Sequence, residues 1–259
     1  MKLKTLGCSI LVALAVAVIG SVGCSSGTST LAQNPEGTSP PPKYYPINPN
    51  RTEPNPVSDF LYEINGNSVT ITKYIGGDGD IVIPAEIDGK NVTSIGYEAF
   101  YKCVRLTTVK ISDGVINIGT DTYDPYTCDY GAFRGCYNLV SVKMPDSVTV
   151  IGNSTFAGCE NLSDITLPRE LIAIGEHAFA ACDSLTDLVI PDGTTSIGYS
   201  AFWGCRNLTS LTIPSSVANI GEHIHIPAFE SCEKLIITCP RDSFIHEYCL
   251  LHKIPTLLI

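Results

Sequence analysis

Residues 201–214 read Ala201-Phe202-Trp203-Gly204-Cys205-Arg206-Asn207-Leu208-Thr209-Ser210-Leu211-Thr212-Ile213-Pro214, and Val217-Ala218-Asn219-Ile220-Gly221 follows. Leu211 and Ile213 alternate with polar neighbours. That is the pattern of a strand with one face inward, and Pro214 ends it. Val217 to Gly221 is a second short extended piece, stopped by its glycine. The Ala-Phe-x-x-Cys stretch predicts a single helical turn with Phe202 and Cys205 on its inner side. One such coil cannot bury its own Leu, Ile, Val and Phe. Stacked copies bury them in one continuous core.

Copies are present. Phe100, Phe133, Phe156, Phe179, Phe202 and Phe229 each have Cys three residues later, at Cys103, Cys136, Cys159, Cys182, Cys205 and Cys232. Leu follows three residues after each Cys, from Leu106 to Leu235, and an Ile-Gly pair precedes each unit. The Phe spacings are 33, 23, 23, 23 and 27, so the period is 23 with two insertions. Registered repetition of this kind marks a solenoid. The fold class expected is a β-rich solenoid of 23-residue coils, with short parallel strands and single helical turns. Strands of successive coils pair about 4.8 Å apart, in roughly seven coils.

The repeat resembles the BspA-like leucine-rich repeats of bacterial surface proteins. Those carry Leu-x-x-Ile-x-Ile-Pro, Val-x-x-Ile-Gly and Ala-Phe-x-x-Cys every 23 residues, and the match here runs from about residue 58 to 259. The resemblance implies a leucine-rich-repeat superhelix that works in adhesion, to host matrix or to other microbes, by noncovalent contact. The ends read as caps, which a solenoid needs to close its core. Phe60 to Tyr74 predicts a hairpin turning at Asn65-Gly66-Asn67. Ile81 to Ile83 and Ile87 to Val92 complete that cap. At the other end Ser243 is placed to cap a helix over Phe244 to Leu251, before a last strand near Ile254 to Leu258.

Ahead of the repeats, Lys2 and Lys4 precede ten apolar residues from Ile10 to Ile19, the anatomy of an export signal and too short a run to span a bilayer. Ser21-Val22-Gly23-Cys24 resembles the lipobox of bacterial lipoproteins, although Ser21 stands where Leu is commonest. By that resemblance Cys24 carries the lipid and begins the mature chain. Eight prolines between residues 35 and 56, among Ser, Thr and Asn, predict an extended tether. The organisation expected is a signal over 1–23, a tether over 24–57, a solenoid with its hairpin cap over 58–238 and a terminal cap over 239–259. The expected address is extracytoplasmic, membrane-anchored by lipid alone and exposed at the cell surface. The net charge of −10 becomes −12 once residues 1–23 leave, which argues against nucleic acid as a partner.

Eleven Cys suggest redox or metal chemistry until they are sorted. Six mark the repeat, and side chains in a ladder point the same way. They read as small buried hydrophobes rather than a disulfide ladder. Cys239 and Cys249 bracket the cap helix, and whether they bridge is open. Metal-ligand spacings are absent, so no metal and no cofactor is expected. His223-Ile-His225 lacks a third ligand, and the acidic insertion at 120–130 lacks a calcium-loop pattern. Enzyme motifs are also missing.

Solenoids bind through extended surfaces. Two outward strand rows follow from the register: Thr108, Ser141, Asp164, Asp187 and Ser210, and beside them Lys110, Lys143, Thr166, Val189 and Thr212. Tyr97, Tyr101, Tyr137, Tyr199 and Trp203 fall at variable positions expected to face water, and exposed Tyr and Trp favour binding. Tyr123 and Tyr126 sit in the first insertion, where solenoids project loops. The expected partner is an extracellular protein or glycan, bound by a monomer. Glycan capture or an envelope scaffold is the alternative to adhesion, and an enzyme's accessory domain a remote third.

Overall fold

The computed structural model describes residues 51–77, 79–120, 130–221 and 227–259. Cys24, the signal, most of the tether, Tyr123, Tyr126, Cys128, His223 and His225 lie outside the described residues.

The described residues form a solenoid of about eight coils. Each coil contributes three ladders in chain order. The first is the Leu-x-Ile strand, for example Ser210–Thr212. The second is the two-residue strand that ends at the Ile of Ile-Gly, for example Asn219–Ile220. The third is the turn that carries Ala-Phe-x-x-Cys. The second ladder runs the length of the repeats as one parallel sheet, Ile95 beside Ile118, Ile151, Ile174, Ile197 and Ile220. Its glycine is a packing requirement. A Cβ on Gly198 would lie 2.4 Å from Glu176 N and from Gly175 C, so successive coils touch backbone to backbone there.

The first ladder is parallel and in register, but it is not continuous. Asp80–Val82, Thr108–Lys110, Ser141–Lys143 and Asp164–Ile165 make one four-stranded sheet. Asp187–Val189, Ser210–Thr212, Ile236–Cys239 and Thr256–Leu258 make another. The seam falls where the register would set Asp164 against Asp187. Two carboxylates directly opposite destabilise strand pairing.

The single turns expected are present in a tight form. They are linked i+3→i turns: Phe202 O accepts from Cys205 N at 3.2 Å, and Cys205 O from Leu208 N at 3.1 Å. The remaining amides bond to the next coil, as Phe179 N does to Ala201 O at 2.8 Å and Ala181 N to Trp203 O at 2.7 Å. A longer α-helix would keep those amides for its own bonds. The turn form frees the backbone for a third ladder between coils, which offsets the desolvation of buried amides.

Inside this ladder the Phe rings stack, with centroids 5.4 Å apart for Phe133–Phe156, Phe156–Phe179 and Phe179–Phe202. Tyr74 extends the stack from the hairpin cap at 5.4 Å from Phe100, and Tyr248 of the helix closes it edge-on at 6.1 Å from Phe229. The cysteines are free thiols, buried from Cys136 to Cys205 and half-buried at Cys103 and Cys232. Each Sγ from Cys136 onward donates to the Phe carbonyl one coil back: Cys159 to Phe133 at 3.2 Å, Cys182 to Phe156 at 3.3 Å, Cys205 to Phe179 at 3.1 Å. A small side chain that fills the gap and donates weakly is what the site asks for. Burial first, then the neighbouring thiols, pushes Cys159 and Cys182 well above the ordinary thiol value, so they stay protonated.

The hairpin and the terminal helix form, but the strands Asp80–Val82 and Lys90–Ile95, read as part of the first cap, pair in parallel with the repeat ladders as a first coil. The hairpin is Phe60–Asn65 with Ser68–Tyr74. Ser243 Oγ accepts from His246 N at the start of the helix Phe244–His252, and Thr256–Leu258 is the last strand. Asn55, just ahead of residue 58, is already buried and bonds both ways to the backbone of Val82. Cys239 and Cys249 are buried and unbridged.

Candidate functional site

Two surfaces stand out, on different ladders. The first is the strand face. Alternation turns Val109, Val142, Leu188 and Leu211 inward, where they are buried, and leaves the residues between them outside. Lys110, Lys143, Asp164, Thr166, Asp187, Val189 and Ser210 are exposed, and Thr108, Ser141 and Thr212 half-buried. The seam divides the two predicted rows, so Thr108, Ser141 and Asp164 are brought together apart from Asp187 and Ser210. Thr108 Oγ1 donates to Asp80 Oδ1 at 2.6 Å, and Ser141 Oγ to Asp164 Oδ2 at 2.7 Å. The hydroxyls are thus held by acids at either end of their row. Lys110 and Lys143 lie side by side in register. A shallow cavity of about 200 Å³ covers these residues.

The second surface lies outside the turn ladder. The residue after each Phe is Tyr101, Arg134, Ala157, Ala180, Trp203 and Glu230 in successive coils, and the first five border a groove. Large side chains at both ends and small ones between them leave a groove of about 800 Å³. Gly135, Gly158 and Ala181 line its middle, at turn positions with φ of 72°, 72° and 55°. Glycine suits that left-handed conformation, and it also leaves the groove empty. Trp203 and Tyr137 are the exposed rings, at 43% and 42%.

The other aromatic positions are half-buried by their own neighbours, which corrects the reading that all of them face water. Tyr97 and Tyr101 pack on Tyr130, at 5.8 and 5.1 Å between ring centroids. Tyr199 meets His177 edge-on at 4.7 Å. Lys102 Nζ lies 4.8 Å from the centre of the Tyr101 ring. His177 lines the groove too, and burial, then the Arg134 charge, lowers its pKa, so it is neutral at pH 7. Ser200 lines the same wall, and its buried hydroxyl has no hydrogen-bond partner among the described residues.

Sequence reasoning missed Tyr130, Lys102, Arg134, His177 and Ser200 as companions of Trp203. Reading the position after each Phe from Phe100 to Phe202, large, large, small, small, large, was the signal that could have found the groove. Among the described residues no three His, Cys, Asp or Glu side chains converge on a metal position. No described helix is long and apolar enough to cross a membrane.

The comparisons agree with this architecture. The family model for the BspA type leucine rich repeat region matches six copies, over residues 81–128 and 126–253. The chain belongs to the BspA-type leucine-rich repeat family. Members are typically surface-exposed, non-enzymatic binding scaffolds. Among solved structures, this BspA-type chain is similar to the Treponema pallidum leucine rich repeat protein at 31% identity. That match covers 71% of this chain and 81% of the other, with a TM-score of 0.63. A leucine-rich repeat protein from Bacteroides ovatus is also 31% identical, over 71% of this chain and 47% of the other, at 0.57. A leucine rich cell surface protein from Faecalibacterium prausnitzii is 27% identical, over 75% and 56%, at 0.54. The chain therefore spans about half the length of these last two. None of the curated proteins matches it.

Proposed function

We propose that this BspA-type solenoid is a lipid-anchored, cell-surface adhesion module that holds an extracellular protein by noncovalent contact. The observation that supports it most is the Lys110–Lys143 pair. Like charges set side by side oppose strand pairing, and neither lysine has a carboxylate within ion-pair distance among the described residues. An acidic surface on a partner protein would relieve them and gain two charge-assisted contacts. The lipobox resemblance at Cys24 supplies the anchor, and the family's habit of surface exposure supplies the address.

The test is binding of the purified protein to immobilised extracellular-matrix proteins. The double variant Lys110→Glu with Lys143→Glu should lose at least tenfold in affinity while its thermal midpoint holds. Unchanged binding in that variant defeats the strand-face reading. A second reading, glycan capture, is favoured by a different observation, the aromatic groove on the turn face.

A further inference from the structure

The turn-face groove has three properties that narrow its occupant. The first is charge. The chain carries 26 acidic and 16 basic side chains. Yet the described groove lining holds Lys102 and Arg134 and no carboxylate. The described ion pairs are Arg169–Asp146 and Arg206–Asp183, both elsewhere, so these two cations are unneutralised among the described residues. An anionic occupant would complement them.

The second property is its backbone. A bound peptide commonly gains affinity by adding a strand to an open edge. Here the edge is closed, because the groove's own amides and carbonyls already bond from coil to coil: Gly135 N to Ala157 O at 2.8 Å, Gly158 N to Ala180 O at 2.7 Å, Ala181 N to Trp203 O at 2.7 Å. What remains for recognition is ring faces and side-chain polar groups. Those are the groups that grip a sugar, whose C–H face lies flat on an electron-rich ring and whose hydroxyls need donors and acceptors. His177 lines the wall with such a group.

The third is length. Tyr101 and Trp203 stand four coils apart. At the inter-strand spacing of about 4.8 Å that is a track of ~19 Å. Such a track suits a short linear chain rather than a single small molecule.

We propose that the turn-face groove binds an acidic oligosaccharide, with Tyr137 and Trp203 stacking on sugar rings while Arg134 and Lys102 hold carboxylates. Arg134 can take a carboxylate bidentately, and Lys102 meets one as a point charge. This site deepens the glycan reading. It does not depend on the strand-face adhesion site, whose lysines lie on another ladder.

Trp203 is the sole tryptophan, so its fluorescence reports this site alone. The purified protein is titrated with oligogalacturonate, a hyaluronan hexasaccharide and sialyllactose. The methyl ester of oligogalacturonate, hexaglutamate and hexathymidylate run beside them. At least one acidic glycan should shift the Trp203 emission saturably, more weakly as salt rises. Where oligogalacturonate binds, its methyl ester should bind at least tenfold more weakly. Arg134→Glu should abolish the shift with its thermal midpoint unchanged. By calorimetry Trp203→Phe should keep most of the binding and Trp203→Ala should lose at least tenfold. Silence of all three acidic glycans overturns the proposal. So does equal binding of the ester, or equal or tighter binding of hexaglutamate or hexathymidylate, which reassigns the groove to acidic peptide or to nucleic acid. Lysine-variant matrix binding is scored separately, so either site can fail alone.

Discussion

Phe202 and Trp203 are neighbours in one turn, yet they belong to different regions of the molecule. Phe202 is fully buried in the ring stack, 5.4 Å from Phe179 and 5.8 Å from Phe229. Trp203 is 43% exposed at the end of the groove. Inside the ladder every coil repeats the same side chains, because each must fit the coil before and the coil after. Outside it the same backbone carries Tyr101, Arg134, Ala157, Ala180 and Trp203. The repeat therefore spends its sameness on stability and leaves its variation for binding.

The sharpest way to break this contrast is to truncate both aromatics. Phe202→Ala should cost about 3–5 kcal/mol, from lost burial and the cavity left between two rings. In a solenoid of nearest-neighbour interfaces that loss weakens both adjoining coils. Trp203→Ala should stay within about 0.5 kcal/mol of the parent, as a surface change does. Urea unfolding of the two variants checks this, and similar losses for both would erase the inner–outer distinction.

A smaller effect is expected where the inner side is backbone rather than side chain. Gly198→Ala would place a methyl 2.4 Å from Glu176 N and Gly175 C, neither of which can swing aside. Overpacking of this kind should cost about 1–3 kcal/mol, read as a lower thermal midpoint. A neutral result would mean that successive coils can slide apart at the Ile-Gly ladder.

Most of the inner region was legible in the sequence, for a physical reason. A core position in a solenoid is seen once per coil, so Phe, Cys, Leu and Ile-Gly repeat until chance is excluded. The caps were legible through local chemistry, Gly66 at the hairpin turn and Ser243 at the helix start. Three things were not. The turns bond between coils as well as within themselves, which one coil's pattern cannot reveal. The seam between Asp164 and Asp187 depends on a pair of residues 23 apart. The groove is an emptiness spread over several coils, made by Ala157, Gly158 and Ala180, each of them ordinary when taken alone. Outward strand positions such as Lys110 and Val189 were legible from alternation, whereas the half-burial of Tyr97 and Tyr199 rests on the partners Tyr130 and His177.

The cysteines sharpen the inner region further. Cys182→Ala removes a small volume and one Sγ–H bond to Phe156 O. That oxygen keeps its bond from Cys159 N at 3.0 Å, so no buried acceptor is orphaned. The expected cost is about 1 kcal/mol. The raised thiol values also predict slow reaction of Cys159 and Cys182 with a thiolate-selective reagent at pH 8 in the native protein, and release of both on unfolding. Fast native reaction would place the column nearer to solvent than the stack allows.

His177 is where the two regions meet, since it lines the groove yet is lowered in pKa chiefly by burial. Its ordinary value is 6.5, and the folded value lies below that. Above 6.5 the ring is neutral in both states, so it leaves stability unchanged. As pH falls through 6.5 the unfolded chain takes up the proton first, and stability drops until the folded value is passed. His177→Gln should therefore reduce the loss of urea midpoint between pH 7.5 and pH 5.5, by less than any of the losses above. The Arg134 charge contributes after burial, so Arg134→Gln should recover only part of the same loss. Identical pH dependence in parent and His177→Gln protein would move His177 fully to the outer side, beside Trp203, and the boundary between core and groove would then run one residue deeper, at Ala178.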